Sequence, residues 1–184
     1  GRPVAGPSAN RSGRVSPVEA AHVLADLDGR IDAVLDSGRT PVGVESTILA
    51  CFGGTPKLLR SGGIERWLIE DLAGPLARAD EAGTIAPGML ASHYAPDAAV
   101  RLNALALEEG EAGLDFGARF GGRVLDLSPR GDTVEAAANL YTFLRRLDAA
   151  RPRRIAVAPI PMRGLGEAIN DRLARAAAPL GRQK

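Results

Sequence analysis

The amino-acid sequence predicts an α/β protein built from two domains and a linker. Predicted strands and helices alternate between residues 98 and 178, which is typical of a parallel sheet with right-handed helical crossovers. A stretch rich in Gly, Pro and Ala, with little periodicity, lies before this region. The segment before that stretch has its own short helices and strands. We therefore expect a first domain at 1–75, a linker at 76–97 and a second domain at 98–184.

The first domain is expected to open with a loop, because residues 1–15 are rich in Gly, Pro, Ser and Asn. A helix should follow, since Ser16 suits the N-cap and Glu19 completes an S-x-x-E capping box. Gly29 is a typical helix stop. The remaining predicted elements are strands at 31–35, 44–51 and 57–60 and a helix at 64–73.

The second domain contains the clearest helix of the chain. Leu140, Leu144 and Leu147 recur at helical spacing within 133–149, which predicts an amphipathic helix with one buried face. The other expected elements are strands at 98–102, 123–127 and 154–159 and a helix at 166–178.

The composition excludes several classes of protein. Hydrophobic residues make up 45% and charged residues 24% of the 184 residues, as is ordinary for a globular domain. The net charge of +1 provides no long-range field for nucleic acid, so RNA contact would need a local patch. A single cysteine, Cys51, excludes an intrachain disulfide and a Cys-rich metal site. Because no apolar run approaches the ~18 residues of a membrane helix, we expect a cytoplasmic protein.

Residues 6–13 form a compact polar motif, GPSANRSG, that leads toward a predicted helix N-terminus. Hydroxyl and amide side chains, flexible glycines and the positive end of a helix together suit a phosphate or a carboxylate. A surface turn before a capped helix explains the same pattern. The start Gly6-x-Ser8 also resembles a hydrolase elbow, but Asn10 stands where G-x-S-x-G requires glycine, which disfavours a hydrolase.

Polar residues interrupt two predicted strands. The run Gly43-Val44-Glu45-Ser46-Thr47 places three polar side chains in an otherwise apolar strand, and a buried polar group costs free energy unless it is paired. This run therefore indicates either a binding site or an edge strand with one wet face. Arg60 ends another apolar strand beside Gly62-Gly63, where its guanidinium could bind a phosphate or form a surface ion pair.

The predicted linker is unusual because it contains a defined cluster of polar and aromatic residues. Residues 86–96 read APGMLASHYAP, with His93 and Tyr94 near the end. A passive linker needs only small residues and Pro, so this cluster indicates a loop that docks on the protein. Docking over a site and simple pinning of the two domains both fit the sequence.

Taken in order, these motifs resemble the threonylcarbamoyl-AMP synthase family of YrdC-like enzymes. The matching stretches in the first domain are PSANRSGRVSP, GRIDAVLDSG, PVGVEST and LLRSGGI. The linker APGMLASHYAP and the later IPMRGLGEAINDRL are similar to the long form of the family, which has an additional C-terminal domain. The resemblance covers nearly the whole chain. It implies a partial YrdC-like α/β catalytic domain, a linker and a Rossmann-like C-terminal α/β domain.

The resemblance implies a nucleotidyltransferase. Family members join threonine, bicarbonate and ATP to give threonylcarbamoyl-adenylate and pyrophosphate, with Mg²⁺ expected to accompany ATP. Their product passes to a tRNA threonylcarbamoyl transferase for N6-threonylcarbamoyladenosine formation in tRNA. Whether this chain binds tRNA directly stays open. The alternatives are a non-catalytic RNA-binding module of the same pathway and a related hydrogenase-maturation enzyme, whose zinc-finger cysteines this sequence lacks.

The resemblance also implies roles for individual residues. Threonine is expected to contact the backbone of Gly6 and the side chain of Ser46. No catalytic residue and no metal ligand is assigned. His93 is the alternative to Tyr94 for the linker contact. The residues expected to bind ATP are Ser8, Asn10, Ser16, Arg60 and Tyr94.

The chain departs from the family in one respect. Family members have most of the catalytic domain before the PSAN motif, including a strand motif with Lys and Arg that contacts ATP. In this sequence the motif cations are Arg11, Arg14 and Arg60. We therefore expect an incomplete fragment of the enzyme that is inactive alone.

Overall fold

A computed structural model describes residues 1–3, 6–52, 54–78, 93–121 and 124–178. The first part of the chain forms a small three-stranded sheet with two short helices. Strand β1 pairs antiparallel with β2, and β2 pairs parallel with β3. The elements of this part are α1 (Ala20–Leu27), β1 (Ile48–Ala50), β2 (Lys57–Arg60), α2 (Arg66–Ala73) and β3 (Ala77–Arg78).

The second part forms a four-stranded sheet in which every pairing is parallel, with the order β4-β7-β5-β6. Helices cross between its strands, so the predicted parallel α/β architecture is confirmed. The elements of this part are β4 (Ala99–Arg101), β5 (Glu111–Asp115), β6 (Val124–Asp126), α3 (Thr133–Ala149), β7 (Arg154–Val157) and α4 (Gly166–Ala177). Within the described ranges, no helix combines the length and apolar character needed to cross a bilayer.

Helix α3 has the bounds that the sequence predicts. The carboxylate of Asp132 accepts a hydrogen bond of 2.8 Å from the Val134 amide, which caps the first turn. The predicted stripe, including Leu140, Leu144 and Leu147, is buried. It packs in one continuous core with β-strand residues and with Val15 and Val18 of the first part.

Three predicted elements of the first part differ from the structure. Helix α1 begins at Ala20, because the hydroxyl of Ser16 binds Glu45 and does not cap the helix. Residues 31–35 form no strand, and Leu35 is 99% exposed. The strand predicted at 44–51 is shorter, and only Ile48–Ala50 joins the sheet. In each case a tertiary contact, or the lack of a sheet neighbour in the described structure, overrides the local pattern.

Strand β5 was not predicted, because Glu111, Gly113 and Asp115 interrupt its apolar residues. Each of the three has a structural reason. Glu111 forms an ion pair of 2.5 Å with Arg101, and Asp115 accepts hydrogen bonds from two backbone amides beyond the strand. A Cβ at Gly113 would lie 2.5 Å from a methyl group of Val124 on the neighbouring strand.

The two parts of the chain contact each other closely. Arg145 of α3 binds Asp26 of α1 at 2.7 Å and also donates to the backbone carbonyls of Val15 and Ser16. The described end of the linker, residues 93–97, lies against both parts. The Ala95 amide donates to the Gly13 carbonyl at 2.9 Å, and the His93 amide donates to a carbonyl of α4 at 3.3 Å. The rest of the predicted linker beyond β3, residues 79–92, lies outside the described residues.

Candidate functional site

Glu45 of the Gly43–Thr47 segment is the centre of a buried polar cluster between the two parts. The Ser16 hydroxyl donates to its Oε1 at 2.7 Å. The Tyr141 hydroxyl, from α3, lies 2.9 Å from Oε2 and 3.1 Å from Oε1. The Arg172 guanidinium, from α4, donates to Oε2 at 2.8 Å. Three groups that lie far apart in the sequence therefore converge on one carboxylate.

The electrostatics of this cluster keep Glu45 ionised. Burial acts to raise the pKa of Glu45, but the charge and hydrogen bond of Arg172, together with the hydrogen bond from Ser16, outweigh burial and lower the pKa below its usual value. Burial raises the pKa of Tyr141 well above its usual value. Tyr141 thus stays a neutral donor beside an anionic acceptor, which is the favourable arrangement of the pair.

Arg172 is the cation of the cluster, and its side chain is fully buried. Besides Glu45, it donates to the Ser61 carbonyl at 2.9 Å and to the Asp171 carboxylate at 2.5 Å. A buried guanidinium is tolerated only when its donors are paired and its charge is balanced. These contacts join α4 to two segments of the first part, Gly43–Thr47 and the turn after β2.

The linker residue Tyr94 completes the cluster. Tyr94 is 1% exposed and stacks on the Tyr141 ring with centroids 5.8 Å apart. The Arg172 guanidinium lies 5.2 Å from the centroid of the Tyr94 ring, within range of a cation–π interaction. His93 packs edge-on against Tyr94, and among the described residues its Nδ1 is buried without a hydrogen-bond partner. Burial lowers the pKa of His93, which favours the neutral imidazole.

Ser46 and Arg60, two of the predicted site residues, are in contact. Arg60 donates to the Ser46 carbonyl through Nε at 3.1 Å and Nη2 at 2.9 Å, and Nη2 also lies 3.2 Å from the Ser46 hydroxyl. Arg60 is buried at the end of β2, whereas Ser46 is exposed. Because Arg60 donates to the Ser46 oxygen, the hydroxyl hydrogen of Ser46 can point outward to an acceptor.

Two glycines let the Gly43–Thr47 segment fit tightly between its neighbours. Gly43 has φ +77°, and a Cβ there would lie 2.2 Å from the Ala137 carbonyl oxygen of α3. A Cβ at Gly62 would lie 2.3 Å from the Thr47 amide nitrogen and 2.4 Å from the Glu45 carbonyl oxygen. The segment is therefore held between α3 on one side and the turn after β2 on the other.

The structure places the predicted residues of the 6–13 loop outside this cluster, except for Ser16, which follows the loop. Gly6 and Ser8 are exposed, and no hydrogen bond within the described ranges joins them to Ser46 or Arg60. The Asn10 amide donates to the carbonyls of Arg11 and Arg14, both at 3.0 Å, so that it shapes its own loop.

Sequence reasoning did not single out Tyr141 or Arg172. A signal for Arg172 is present in the sequence, because it stands in the apolar stripe Ile169, Arg172, Leu173 and Ala176 at helical spacing. An arginine in a buried stripe predicts a buried partner. Nothing in the sequence identifies that partner as Glu45, which lies 127 residues earlier.

A cleft of about 980 Å³ in the described structure is not lined by Ser46 or Arg60. It lies between α1 and the C-terminal end of α3, and Arg60 lines a smaller cleft of about 190 Å³. Arg60 is the predicted site residue in the lining of this smaller cleft, and Ser46, which Arg60 contacts, does not line it. The larger one is lined by six arginines and three aspartates: Arg11, Arg14, Arg145, Arg146, Arg151, Arg153, Asp26, Asp97 and Asp148.

Within the described ranges, no group of three or more His, Cys, Asp or Glu residues could hold a metal ion. The carboxylate next to Ser46, that of Glu45, is already bound by Ser16, Tyr141 and Arg172.

Comparisons with known proteins cover both parts of the chain. Residues 63–178 match the family described as "Threonylcarbamoyl-AMP synthase, C-terminal domain". Residues 1–62 match the family described as "Telomere recombination". Together these two matches extend over residues 1–178, which include all of the described structure.

Curated relatives give the same result. The chain is 38% identical to the threonylcarbamoyl-AMP synthase of Bacillus subtilis, covering 96% of this chain and 58% of the relative. It is 36% identical to that of Pyrococcus abyssi, covering 95% of this chain and 58% of the relative. The chain thus spans less than two thirds of the length of these relatives.

Solved structures resemble this fold at a similar level. The Pyrococcus abyssi Sua5 protein, crystallised with L-threonine, matches with a TM-score of 0.81 and 32% identity over 93% of this chain and 56% of that chain. A variant of that protein, with a histidine and the tyrosine next to it both replaced by alanine, matches with a TM-score of 0.78. The extent of these matches establishes that the chain belongs to the threonylcarbamoyl-AMP synthase family, a family of nucleotidyltransferases.

Proposed function

We propose that this chain carries the threonine-binding part of an L-threonylcarbamoyladenylate synthase. The complete enzyme would join threonine, bicarbonate and ATP to give threonylcarbamoyl-AMP and pyrophosphate for tRNA modification. The observation that supports this most strongly is the exposed residue Ser46, whose hydroxyl lies 3.2 Å from the buried Arg60, in a chain similar to a protein crystallised with L-threonine.

In this proposal, the threonine carboxylate binds at Ser46. The Ser46 hydroxyl donates to the carboxylate, while Arg60 provides a positive charge behind it and fixes the Ser46 backbone through two hydrogen bonds. A hydrogen bond to a charged acceptor stabilises by roughly 1.5–3 kcal/mol. Gly6 is the proposed backbone contact to threonine, and its lack of a side chain allows a close approach.

We propose that ATP contacts Ser8, Asn10, Ser16, Arg60 and Tyr94. The positive end of α1 and the small polar residues before it suit a phosphate group. Ser16 would donate to ATP through its backbone amide, or its hydroxyl oxygen would accept from a hydroxyl of the nucleotide, because its hydroxyl hydrogen is used by Glu45. Since Glu45 is engaged, we propose that Mg²⁺ is held mainly by the phosphates of ATP, where it would neutralise their charge.

The chemistry requires positioning more than covalent work by the protein. The carbamate formed on the threonine amine must approach the α-phosphate of ATP in line, and holding the two reactants in this geometry lowers the barrier. Cations near the phosphates stabilise the charge that develops. Arg60 would act on both substrates, threonine and ATP, because it contacts Ser46 and also lines an open cleft.

The linker at 86–96 is proposed to cover the site. The buried position of Tyr94, between the Tyr141 ring and the Arg172 guanidinium, supports docking of this segment. The Nδ1 of His93, which has no hydrogen-bond partner among the described residues, provides a group that a substrate could reach when the linker moves. A segment of this kind could exclude water from the adenylate, whose mixed anhydride would otherwise hydrolyse.

A second candidate function, RNA binding, rests on the arginine-lined cleft. Arg145 and Arg14 pair there with Asp26 and Asp97, respectively, and Arg146, Arg151 and Arg153 add further positive charge. Phosphate contacts by arginine are salt-dependent, so RNA affinity would fall steeply with added salt. A gel shift with tRNA at 50 and 200 mM salt tests this; affinity that does not change with salt would count against a phosphate-binding cleft.

The main proposal is tested by titrating the chain with L-threonine in a calorimeter. We expect saturable 1:1 binding that weakens about ten- to hundredfold in Ser46→Ala, as follows from the loss of 1.5–3 kcal/mol. D-threonine, which has the same charge and mass, serves as the control ligand. Equal heats for the two enantiomers, or unchanged affinity in Ser46→Ala, would contradict the proposed site.

A further inference from the structure

The C-terminal domain contacts the proposed threonine-binding segment at three points. The backbone of α3 touches Gly43, at the start of the segment. Tyr141 and Arg172 both bind Glu45, the residue before Ser46. These contacts come from two helices of the second part and fall within three residues of the proposed threonine ligand.

Glu45 links these side-chain contacts to the backbone of the segment. Its side chain is fixed by Tyr141 and Arg172, and its carbonyl accepts a hydrogen bond of 2.9 Å from the Gly63 amide. Arg172 also donates to the Ser61 carbonyl, two residues before Gly63. The Arg172 guanidinium therefore holds the 43–47 segment through Glu45 and the turn after β2 through Ser61. Ser46 follows Glu45 directly and is bound in turn by Arg60.

We propose that Arg172 and Tyr141 are positioning residues, through which the C-terminal domain sets the geometry of Ser46 and thereby the affinity for threonine. This inference rests on the proposed threonine site. It assigns a role in substrate binding to two residues that belong to the other part of the chain and do not themselves contact the substrate.

The physical reason lies in the shape of the segment. Residues 43–47 precede the regular part of β1, so sheet hydrogen bonds do not fix their backbone. The Glu45 carboxylate replaces those hydrogen bonds as an anchor. A hydroxyl that binds a carboxylate must be placed to within a fraction of an ångström, because hydrogen bonds weaken steeply with poor geometry.

The experiment compares three variants of the complete 184-residue chain. Arg172→Met keeps an unbranched apolar stem and removes the guanidinium with its charge, and Tyr141→Phe removes one hydroxyl but keeps the ring that stacks on Tyr94. Arg66→Met is the matched control, because it breaks another Arg–Glu pair between the two parts, the 2.5 Å contact with Glu167, without touching Glu45.

The first readout is amide hydrogen exchange in the absence of ligand. We expect exchange at residues 43–47 and at Gly63 to become at least tenfold faster in Arg172→Met and in Tyr141→Phe, with little change in Arg66→Met. If Arg172→Met does not fold, Tyr141→Phe alone decides, because the loss of one hydroxyl is mild. Unchanged exchange in Tyr141→Phe, or equal acceleration in Arg66→Met, would overturn the proposal.

The second readout is the affinity for L-threonine and for ATP. We expect the dissociation constant for threonine to rise at least tenfold in Arg172→Met and that for ATP to rise less than threefold. Equal losses for both ligands would indicate a general structural role and overturn the positioning role. If the unmodified chain binds no threonine while exchange still responds as expected, the proposed function fails and the anchoring of residues 43–47 by Glu45 stands.

Discussion

At the residue scale, Ser46 connects the sequence motif to the proposed chemistry. The sequence places Ser46 in an interrupted strand, and in the structure Ser46 is an exposed residue whose hydroxyl lies 3.2 Å from Arg60. In an active full-length enzyme containing this chain, Ser46→Ala should raise the KM for threonine by about ten- to hundredfold and that for ATP much less, because one hydrogen bond to a carboxylate is lost. Steady-state kinetics with each substrate varied in turn measures both values, and equal increases would contradict the assignment.

Gly43 and Gly38 form a matched pair that separates backbone strain from crowding. Both have positive φ, +77° and +87°, but a Cβ at Gly43 would collide with α3, whereas nothing lies within 4 Å at Gly38. Gly43→Ala should therefore lose about 1–3 kcal/mol more stability than Gly38→Ala. Urea denaturation of the two variants gives this difference, and equal losses would show that α3 does not press on this residue.

Glu45 should make stability dependent on pH. Its pKa is lowered in the folded protein, so between that pKa and the unfolded value the unfolded state binds more protons. The stabilisation is complete above about pH 4.5 and is lost as the pH falls through the folded pKa. Glu111, whose pKa falls to about 2 beside Arg101, acts in the same direction. Denaturation at pH 7 to 3 should show a shallower loss in Glu45→Gln than in the unmodified chain.

The exposed Glu109 provides the control for this measurement. Glu109→Gln should retain the pH dependence of the unmodified chain. The same slope in Glu45→Gln and Glu109→Gln would show that the buried cluster does not link proton binding to folding.

At the scale of elements, the sequence predicts the helices and strands whose stability depends on residues close in the sequence. Helix α3 was predicted with its observed bounds from its regular apolar stripe, which buries one face, and the structure adds the Asp132 cap. Strand β5 was missed and 31–35 was wrongly predicted, since strand formation depends on neighbours that a local pattern does not contain. The Arg172–Glu45 contact was missed for the same reason, because it joins residues distant in sequence.

The linker is the part of the chain that we expect to move when substrates bind. If residues 86–96 cover the site, addition of ATP and threonine to a complete enzyme should protect this segment from limited proteolysis, as expected for a lid that closes on its substrates. Cleavage sites mapped by mass spectrometry, with the exposed loop around Leu35 as internal control, measure this. Equal protection with and without ligands would indicate that His93 and Tyr94 only pin the two domains together.

At the scale of the whole molecule, the two parts form one unit around Glu45. The core is continuous from Val15 and Val18 through Tyr94 to the helices of the second part. The sequence predicted the two-part architecture and the family, since these depend on motifs in order. It did not predict that the C-terminal domain would supply two of the three groups bound to Glu45.

The central proposal is that this chain contributes the threonine site of a threonylcarbamoyl-AMP synthase and turns over only together with the remaining catalytic residues of the family. The most direct test joins the chain to the part of the catalytic domain that family members have before the PSAN motif, and measures threonylcarbamoyl-AMP by mass spectrometry together with pyrophosphate release. We predict product only when threonine, bicarbonate and ATP are all present, none from the 184-residue chain alone, and a strong loss in Ser46→Ala. A folded joined protein that forms no product, or pyrophosphate release that does not depend on threonine, would contradict the account.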